Sequence, residues 1–224
     1  MTKPTSKAPK LLRLGVALMA LFLVSACGSN PPHKVEGGKP SPTWKAQQRY
    51  LSKLSAWEMS GRAGSGLGFS GQLNWVQQAT QSYINISGPL GIGALEIIGN
   101  ADQVSLRDKH GIRTVVNPEA VLRESYGLPL PIDYLRWWML GIAAPNERAG
   151  YQFDNNGNAA EIHQAGWRVT LTSYQLYDCS VVLPRKMTLV SGDHKLKVVV
   201  KKWTPLEGRC GVVSSAALSS ALLF

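Results

Sequence analysis

The chain has 224 residues and a formal net charge of +10, with 24 Lys and Arg residues against 14 Asp and Glu residues. That charge is basic without being extreme, and it favours anionic lipid head groups or an acidic protein surface as partners. The three cysteines are Cys27, Cys179 and Cys210, and the spacing of the last two leaves open whether they pair.

Residues 1–26 have the organisation of a secretory signal peptide. Four basic residues and no acidic one precede an uninterrupted apolar run from Leu14 to Val24. The run is shorter than the ~20 residues that a membrane-spanning helix needs. Val24-Ser25-Ala26-Cys27 then resembles the lipobox of bacterial lipoproteins, which implies cleavage after Ala26 and acylation of Cys27.

An acylated Cys27 predicts that the mature protein stays on its membrane, since several acyl chains hold far more strongly than one. Gly28 stands where an Asp would, in enterobacterial-type sorting, imply retention in the inner membrane. The resemblance therefore implies the inner leaflet of the outer membrane, with the domain facing the periplasm. Loss of the signal peptide leaves 20 basic residues against 14 acidic ones, a net charge of +6, and nucleic acid is not an expected partner there.

The mature chain is predicted to contain a tether, one domain and a tail. Residues 27–40 form the lipidated cysteine and a flexible tether, because they are polar and rich in Pro and Gly. Ser41-Pro42 predicts a helix start, with Tyr50, Leu51 and Leu54 on one side of the helix. Residues 41–204 are predicted to form a single α+β domain, and the tail at 205–224 is assigned no role.

The segments after the first helix alternate between apolar and polar residues. Leu73 and Trp75 share one parity, and Ile84 and Ile86 alternate with polar neighbours. A two-residue period predicts antiparallel strands with one face in water. The pattern continues at 95–97, 104–106, 167–171 and 196–198, and turn-forming residues occur at 109–111, 155–157 and 191–193.

Two further helices are predicted between the strands. Asn117-Pro118 caps one that runs toward Gly127, and Pro131 opens another that ends near Gly141. The second is rich in aromatic residues and apolar over nearly its whole circumference. A helix of that kind must be enclosed or must cover an apolar space.

No catalytic, metal or cofactor site is predicted, so the protein is not expected to be an enzyme. Residues 66–71 match G-x-G-x-x-G, but a strand is expected after them where dinucleotide binding needs a helix. None of the four histidines has a second ligand at a metal-binding spacing. A catalytic centre assembled from residues distant in sequence stays open.

The segment Ser87-Gly88-Pro89-Leu90-Gly91-Ile92-Gly93 lies between two predicted strands. Gly and Pro around Leu90 predict a tight projecting turn, and an exposed Leu forgoes about 1.5–3 kcal/mol of burial. Either Leu90 meets an apolar partner outside the domain, or the turn folds back and Leu90 fills the core. These residues alone do not decide between the two.

From about Cys27 to Thr204 the chain resembles the LolB family of outer-membrane lipoprotein receptors. The resemblance rests on the order and spacing of short motifs, none highly specific alone. They are the lipobox, the tether, Trp57 with Gly61, Leu73-Asn74-Trp75, Ser87-Gly88-Pro89-Leu90-Gly91, Gly127-Leu128-Pro129-Leu130-Pro131 before an aromatic helix ending at Gly141, Gly166-Trp167, Leu183-Pro184 and Trp203.

The resemblance implies an incomplete antiparallel β-barrel, mainly β, with helices covering one mouth of an apolar cavity. Family members accept acylated lipoproteins from LolA, a soluble periplasmic carrier, and release them into the outer membrane without nucleotide or metal. The family's loop leucine corresponds to Leu90, so Gly88, Pro89, Leu90 and Gly91 are expected to engage outer-membrane lipid. We expect the protein to act as a monomer.

We predict that the cavity binds the acyl chains of cargo lipoproteins. Its predicted lining is Leu73, Trp75, Ile84, Ile86, Leu95, Ile97, Leu135, Trp138 and Met139. For each of these residues the alternative is solid core packing. Two rival functions also stay open: a structural or assembly lipoprotein that binds protein partners through its sheet, which predicts a filled core, and a periplasmic hydrolase.

Overall fold

The computed structural model describes residues 42–65, 70–88, 95–100, 103–109, 111–145, 147–178 and 181–205. The helices within these ranges are α1 (Pro42–Leu51), α2 (Pro118–Tyr126) and α3 (Ile132–Met139). The strands are β1 (Ala56–Ser65), β2 (Ser70–Gln78), β3 (Gln81–Ser87), β4 (Leu95–Gly99), β5 (Val104–Asp108), β6 (Gly111–Val115), β7 (Gly150–Phe153), β8 (Ala159–Gln164), β9 (Trp167–Thr172), β10 (Gln175–Asp178), β11 (Val181–Leu183), β12 (Lys186–Ser191) and β13 (His194–Pro205).

Eleven of the described strands form one antiparallel sheet, in the order β6-β5-β4-β3-β2-β1-β13-β12-β9-β8-β7. Most neighbours are joined by short turns, but β13 pairs with β1 on one side and with β12 on the other. β6 and β7 occupy the two edges and are not paired with each other, so the barrel is open. β10 and β11 form a separate two-stranded ladder. The predicted class, a mainly β α+β fold with an incomplete antiparallel barrel, is confirmed.

The predicted alternation fixes which side chains face the core. In β2 the side chains of Leu73, Trp75 and Gln77 are buried, and those between them are more exposed. Trp75 pairs with Ile84 of β3, so both side chains point to the same face of the sheet. Gln77 is 0% exposed and accepts hydrogen bonds from Trp75 Nε1 at 3.2 Å and Ser82 Oγ at 2.7 Å. A buried amide is tolerated there because its carbonyl has partners.

Local sequence sets the ends of α2 and α3, as predicted. The Asn117 side chain accepts the Ala120 N–H at 3.1 Å, and Gly127 ends α2 with a φ of 63°, a conformation that favours glycine. The Pro131 carbonyl accepts the N–H groups of Tyr134 and Leu135. The predicted turns join β5 to β6, β7 to β8 and β12 to β13.

One prediction about α1 is wrong. Tyr50 is 39% exposed, and the buried side chains of the helix are Trp44, Gln47 and Leu51. Spacings of three and four residues place those three on one face, whereas Tyr50 is one position, about 100°, away from Leu51. The Gln47 amide exchanges two hydrogen bonds with the backbone of Val182, at 2.8 and 2.9 Å, and so docks α1 on β11.

Candidate functional site

An apolar cavity lies between the inner face of the sheet and helices α2 and α3. Its volume is ≈ 60 Å³. One wall comes from β1, β2, β3, β4 and β13, and the other from α2, α3 and the residues that join them. Among the described residues of the lining, only Ser65 and Tyr126 contribute hydroxyl groups, and none of these side chains carries a charge. Such a surface offers dispersion contacts and no ionic partner, so it suits hydrocarbon.

The structure brings eight of the nine predicted lining residues together around this cavity. They are Leu73, Trp75, Ile84, Ile86, Leu95, Ile97, Leu135 and Met139. The six from the sheet alternate along β2, β3 and β4 and are all buried. Their contact with acyl chains stays a prediction.

Trp138 is placed elsewhere. Its side chain is 0% exposed and does not line the cavity; it packs against Tyr134 and Trp167. Its indole Nε1 donates to Gln164 Oε1 at 3.0 Å. Because α3 turns about 100° per residue, Trp138 cannot share the direction of its neighbour Met139.

The amide of Gln164 connects Trp138 to the chain after α3. Its Oε1 also accepts the Ala144 N–H at 2.9 Å, and its Nε2 donates to the carbonyls of Ala144 and Glu147 at 2.8 and 2.9 Å. Trp138 therefore fixes the back of α3 to β8, on the side away from the cavity.

The rest of the lining was not predicted from the sequence. These residues are Ala63, Ser65, Leu122, Tyr126, Leu128, Leu130, Ile132, Leu196 and Val198. Leu196 and Val198 did show the strand alternation, but nothing local places β13 beside β1. The spacing of Leu122 and Tyr126 on α2 was a usable signal, because residues four apart on a helix share a face.

A hydrogen-bonded group holds α2 to the sheet. The Tyr126 hydroxyl donates to Asp108 Oδ2 at 2.9 Å, and Arg113 forms an ion pair with the same oxygen at 2.6 Å. The Asp108 side chain is 2% exposed. Burial, followed by the hydrogen bond to Asp108, raises the pKa of Tyr126 to about 12. The phenol therefore remains a donor at neutral pH and closes one side of the cavity.

A second polar contact holds α3 over the turn between β2 and β3. Arg136 donates to the Ala79 carbonyl at 3.1 Å, and its guanidinium lies 4.4 Å from the centre of the Trp137 ring. Partial burial lowers the pKa of Arg136 from its ordinary value. Both helices thus rest on the sheet through side chains, and neither forms part of its backbone ladder.

A cluster of indole rings supports the wall behind Trp75. The Trp57 ring lies 5.2 Å from that of Trp75 and 5.4 Å from that of Trp203. Trp203 Nε1 donates to the Pro184 carbonyl at 3.2 Å. Rings at these distances pack closely, so this cluster supports the sheet side of the cavity from behind.

Several predicted site residues lie outside the described part of the chain. They are Cys27 and the loop residues Pro89, Leu90 and Gly91, and Cys179 and Cys210 are outside it as well. Gly88, the first residue after β3, is half-buried. The described residues include no helix long and apolar enough for a membrane span, and no group of three or more His, Cys, Asp or Glu that could hold a metal.

Comparison with known proteins agrees with the resemblance. The family model described as outer membrane lipoprotein LolB matches residues 55–203. The chain is 35% identical over 202 residues to a protein of Pseudomonas aeruginosa LESB58 named outer-membrane lipoprotein LolB, covering 87% of this chain and 97% of the relative. Proteins of the same name from Stutzerimonas stutzeri A1501 and Pseudomonas fluorescens Pf0-1 are 33% and 32% identical, with the same coverage.

Proposed function

The chain belongs to the LolB family of outer-membrane lipoproteins, and on that basis we propose that it receives lipoproteins from a LolA-like periplasmic carrier and inserts them into the outer membrane. The family supports a role in outer-membrane lipoprotein localisation, not in catalysis. The acyl chains of the cargo occupy the cavity between the sheet and α2 and α3 during transfer.

The observation that carries this proposal is the apolar cavity itself. Acyl chains cannot cross water freely, because each exposed methylene opposes the step. They need an uncharged surface at each stage, and the described residues that line the cavity form such a surface. No nucleotide is required if each acceptor binds the chains more strongly than its donor, since a tenfold preference needs only about 1.4 kcal/mol.

Acyl chains need a wider cavity than the ≈ 60 Å³ present. The wall that moves in this proposal is α2 with the residues that join it to α3. Leu122, Leu128 and Leu130 lie on it, and Tyr126 holds it to Asp108. The opposite wall is a hydrogen-bonded sheet backed by Trp57, so displacement of α2 exposes an intact apolar surface.

The anchor and the loop complete the proposal. Acylation of Cys27 keeps the chain on the inner leaflet of the outer membrane, and residues 28–40 tether the domain in the periplasm. Gly88 to Gly91 then present Leu90 to the bilayer at the end of β3.

A transfer experiment tests the cavity assignment. The full mature chain, positions 27–224 with Cys27→Ala so that no anchor is attached, is mixed with carrier loaded with a fluorescent lipoprotein. We expect the label to elute with the chain in gel filtration. Ala63→Leu should lower the transferred fraction about tenfold, because its added carbon atoms would take up space that the acyl chains need. Overpacking of this kind costs about 1–3 kcal/mol, and 1.4 kcal/mol is a factor of ten.

The matched control is Val199→Leu, an enlargement of a side chain that is 44% exposed, next to β1 but on the outer face. It should transfer label as well as the unchanged chain. Label that stays on the carrier with the unchanged chain would contradict the proposed function.

The small cavity volume also favours one rival, a structural or assembly lipoprotein with a filled core. That function predicts no transfer of label to the unchanged chain. It also predicts no difference in transferred label between Ala63→Leu and Val199→Leu. The same experiment therefore decides between the two.

A further inference from the structure

Basic side chains cluster on the outer face of the sheet, opposite the cavity. His163 of β8 pairs with Arg168 of β9, Arg168 pairs with Val190 of β12, and Val190 pairs with Lys195 of β13. Paired residues point to the same face, so these four side chains form one row across the sheet. At about 4.8 Å per strand the row is about 14 Å long. With Arg148, its three basic members form what we call the basic patch: Arg148, His163, Arg168 and Lys195.

The basic patch borders an open hollow of ≈ 640 Å³. Arg148, His163 and Arg168 line it, together with the two-residue turn at Ala165-Gly166 and the turn that contains Gly192. The hollow is wide open to solvent, so it can meet an extended anionic surface. Among the described residues, none lines both this hollow and the acyl-chain cavity.

The charges of the patch are poorly compensated within the domain. Across the described ranges, no carboxylate forms an ion pair with Arg148, Arg168 or Lys195. Glu161 accepts from His163 at 2.5 Å, and Glu147 accepts from Tyr134. Asp193 is an exposed acid in the turn before β13. Arg168 and Lys195 flank Val190 on its two neighbouring strands, about 10 Å apart by strand spacing, so one external anionic surface can meet both cations.

The patch lies at the end of the sheet where β3 ends and β4 begins. The sheet is antiparallel, so the connections β1–β2, β3–β4, β5–β6, β8–β9 and β12–β13 all leave one end. Arg168 and Lys195 lie close to two of these turns, and Arg148 precedes Gly150, which pairs with His163. The β3–β4 connection at this end contains Leu90.

We propose that the basic patch binds the phosphate groups of anionic phospholipids in the leaflet to which the chain is anchored, and so turns this end of the sheet toward the bilayer. The inference rests on the proposed function, since an anchored receptor is always within tether length of that leaflet. Electrostatic contact orients the domain before Leu90 engages lipid, and does so without occupying the acyl-chain cavity.

Cosedimentation with vesicles tests this inference. The mature chain, positions 27–224 with Cys27→Ala, is mixed with vesicles of phosphatidylcholine and phosphatidylglycerol in equal parts, or of phosphatidylcholine alone. We expect binding to the anionic vesicles that weakens as salt is added. Arg148→Gln, Arg168→Gln and Lys195→Gln combined should weaken it about a hundredfold, since each cation near an anionic surface contributes about fivefold.

The matched control combines Lys45→Gln, Arg49→Gln and Lys53→Gln, which remove the same charge from exposed positions in and after α1. It should retain most of the binding. Equal losses in the two triple variants would show a response to net charge alone and overturn the assignment to this patch.

Two further arms separate the sources of anion. If millimolar inorganic phosphate displaces the chain from vesicles at constant ionic strength, the hollow is a site for free phosphate and the lipid assignment is wrong. If the patch variant binds vesicles normally but takes no label from loaded carrier, the patch docks an acidic protein surface instead. If it accepts label normally but binds vesicles weakly, the inference holds; failure of the unchanged chain to accept label contradicts the proposed function independently.

Discussion

Two tryptophans of the domain bury the same chemical group in different surroundings. Trp75 lies against the cavity and donates its Nε1 to Gln77, whereas Trp138 faces away from the cavity and donates to Gln164. Both are 3% exposed or less. Burial therefore does not distinguish Trp75, which lines the cavity, from Trp138, which supports α3 from behind. The direction in which each side chain points distinguishes them.

This difference can be tested with a matched pair of substitutions, Trp138→Phe and Trp75→Phe. Each removes one buried N–H donor and leaves a carbonyl with fewer partners, so we expect a loss of about 1–3 kcal/mol of stability in both, measured by urea unfolding. Only Trp75→Phe should change the affinity for a fluorescent fatty acid. An equal change in affinity with Trp138→Phe would show that Trp138 also contacts the acyl chain.

Gly61 shows how one residue sets the approach of two strands. A Cβ at this position would lie 2.2 Å from the Val199 carbonyl oxygen and 2.9 Å from the Cα of Val200. The register between β1 and β13 shifts beside it, between Ser60 and Gly61. Backbone atoms cannot move aside as a flexible side chain does.

We therefore expect Gly61→Ala to destabilise the domain by about 2–3 kcal/mol, measured by urea unfolding. Gly150→Ala is the matched control, because a Cβ there would meet only His163 Cβ at 3.7 Å, an ordinary contact. If the two variants unfold at the same urea concentration, the close approach of β13 to β1 is not a constraint.

At the level of elements, α2 is the part of the cavity wall that moves in the proposed transfer, and the contact of its Tyr126 hydroxyl with Asp108 has a pH signature. The pKa of Tyr126 is raised from 10.0 to about 12 in the folded protein, so the folded state binds that proton more tightly than the unfolded state. The stability due to this group is fully present below pH 10 and is lost as pH rises from 10 to 12.

Tyr126→Phe should consequently be less stable than the unchanged chain by about 1 kcal/mol at neutral pH. That difference should shrink as pH rises through the same interval, in urea unfolding at a series of pH values. Tyr83→Phe, at a residue 40% exposed, should give a curve parallel to that of the unchanged chain. A constant difference across the alkaline range would show that the contact with Asp108 does not hold α2.

At the scale of the whole molecule, delivery into the bilayer is assigned to one end of the sheet. We expect Leu90→Glu in the mature chain to accept labelled lipoprotein from the carrier but to deliver little of it to vesicles, because a charged side chain resists entry into lipid. The control is Val116→Glu, at a side chain 80% exposed in the connection after β6, at the opposite end. Delivery at the normal rate by Leu90→Glu would refute the loop assignment.

The anchor makes a separate prediction for the whole chain in cells. The unchanged chain should be found in the membrane fraction of cells, and Cys27→Ala should move the protein out of that fraction. The reason is that the proposed attachment is through acyl chains on Cys27. Fractionation followed by immunoblotting checks this. Unchanged membrane association would mean that another segment holds the protein.

The local features of the domain could be predicted from the order of its amino acids, because local rules govern them. A period of two assigned Leu73, Trp75, Ile84 and Ile86 to one face, and Asn117-Pro118 and Gly127 set the ends of α2. The inner face of the sheet was therefore predictable residue by residue. The family resemblance supplied the barrel that these strands form.

The meeting of distant segments could not be predicted in this way and is known from the fold. β13 lies beside β1, and this adds Leu196 and Val198 to the cavity, because strand pairing across the chain depends on packing of the whole sheet. α3 is apolar around most of its circumference, so burial alone does not separate the side that faces the cavity from the side that faces β8, where the structure places Trp138. The basic patch joins Arg148, His163, Arg168 and Lys195 from three strands and one connection, a proximity that no period in the sequence encodes.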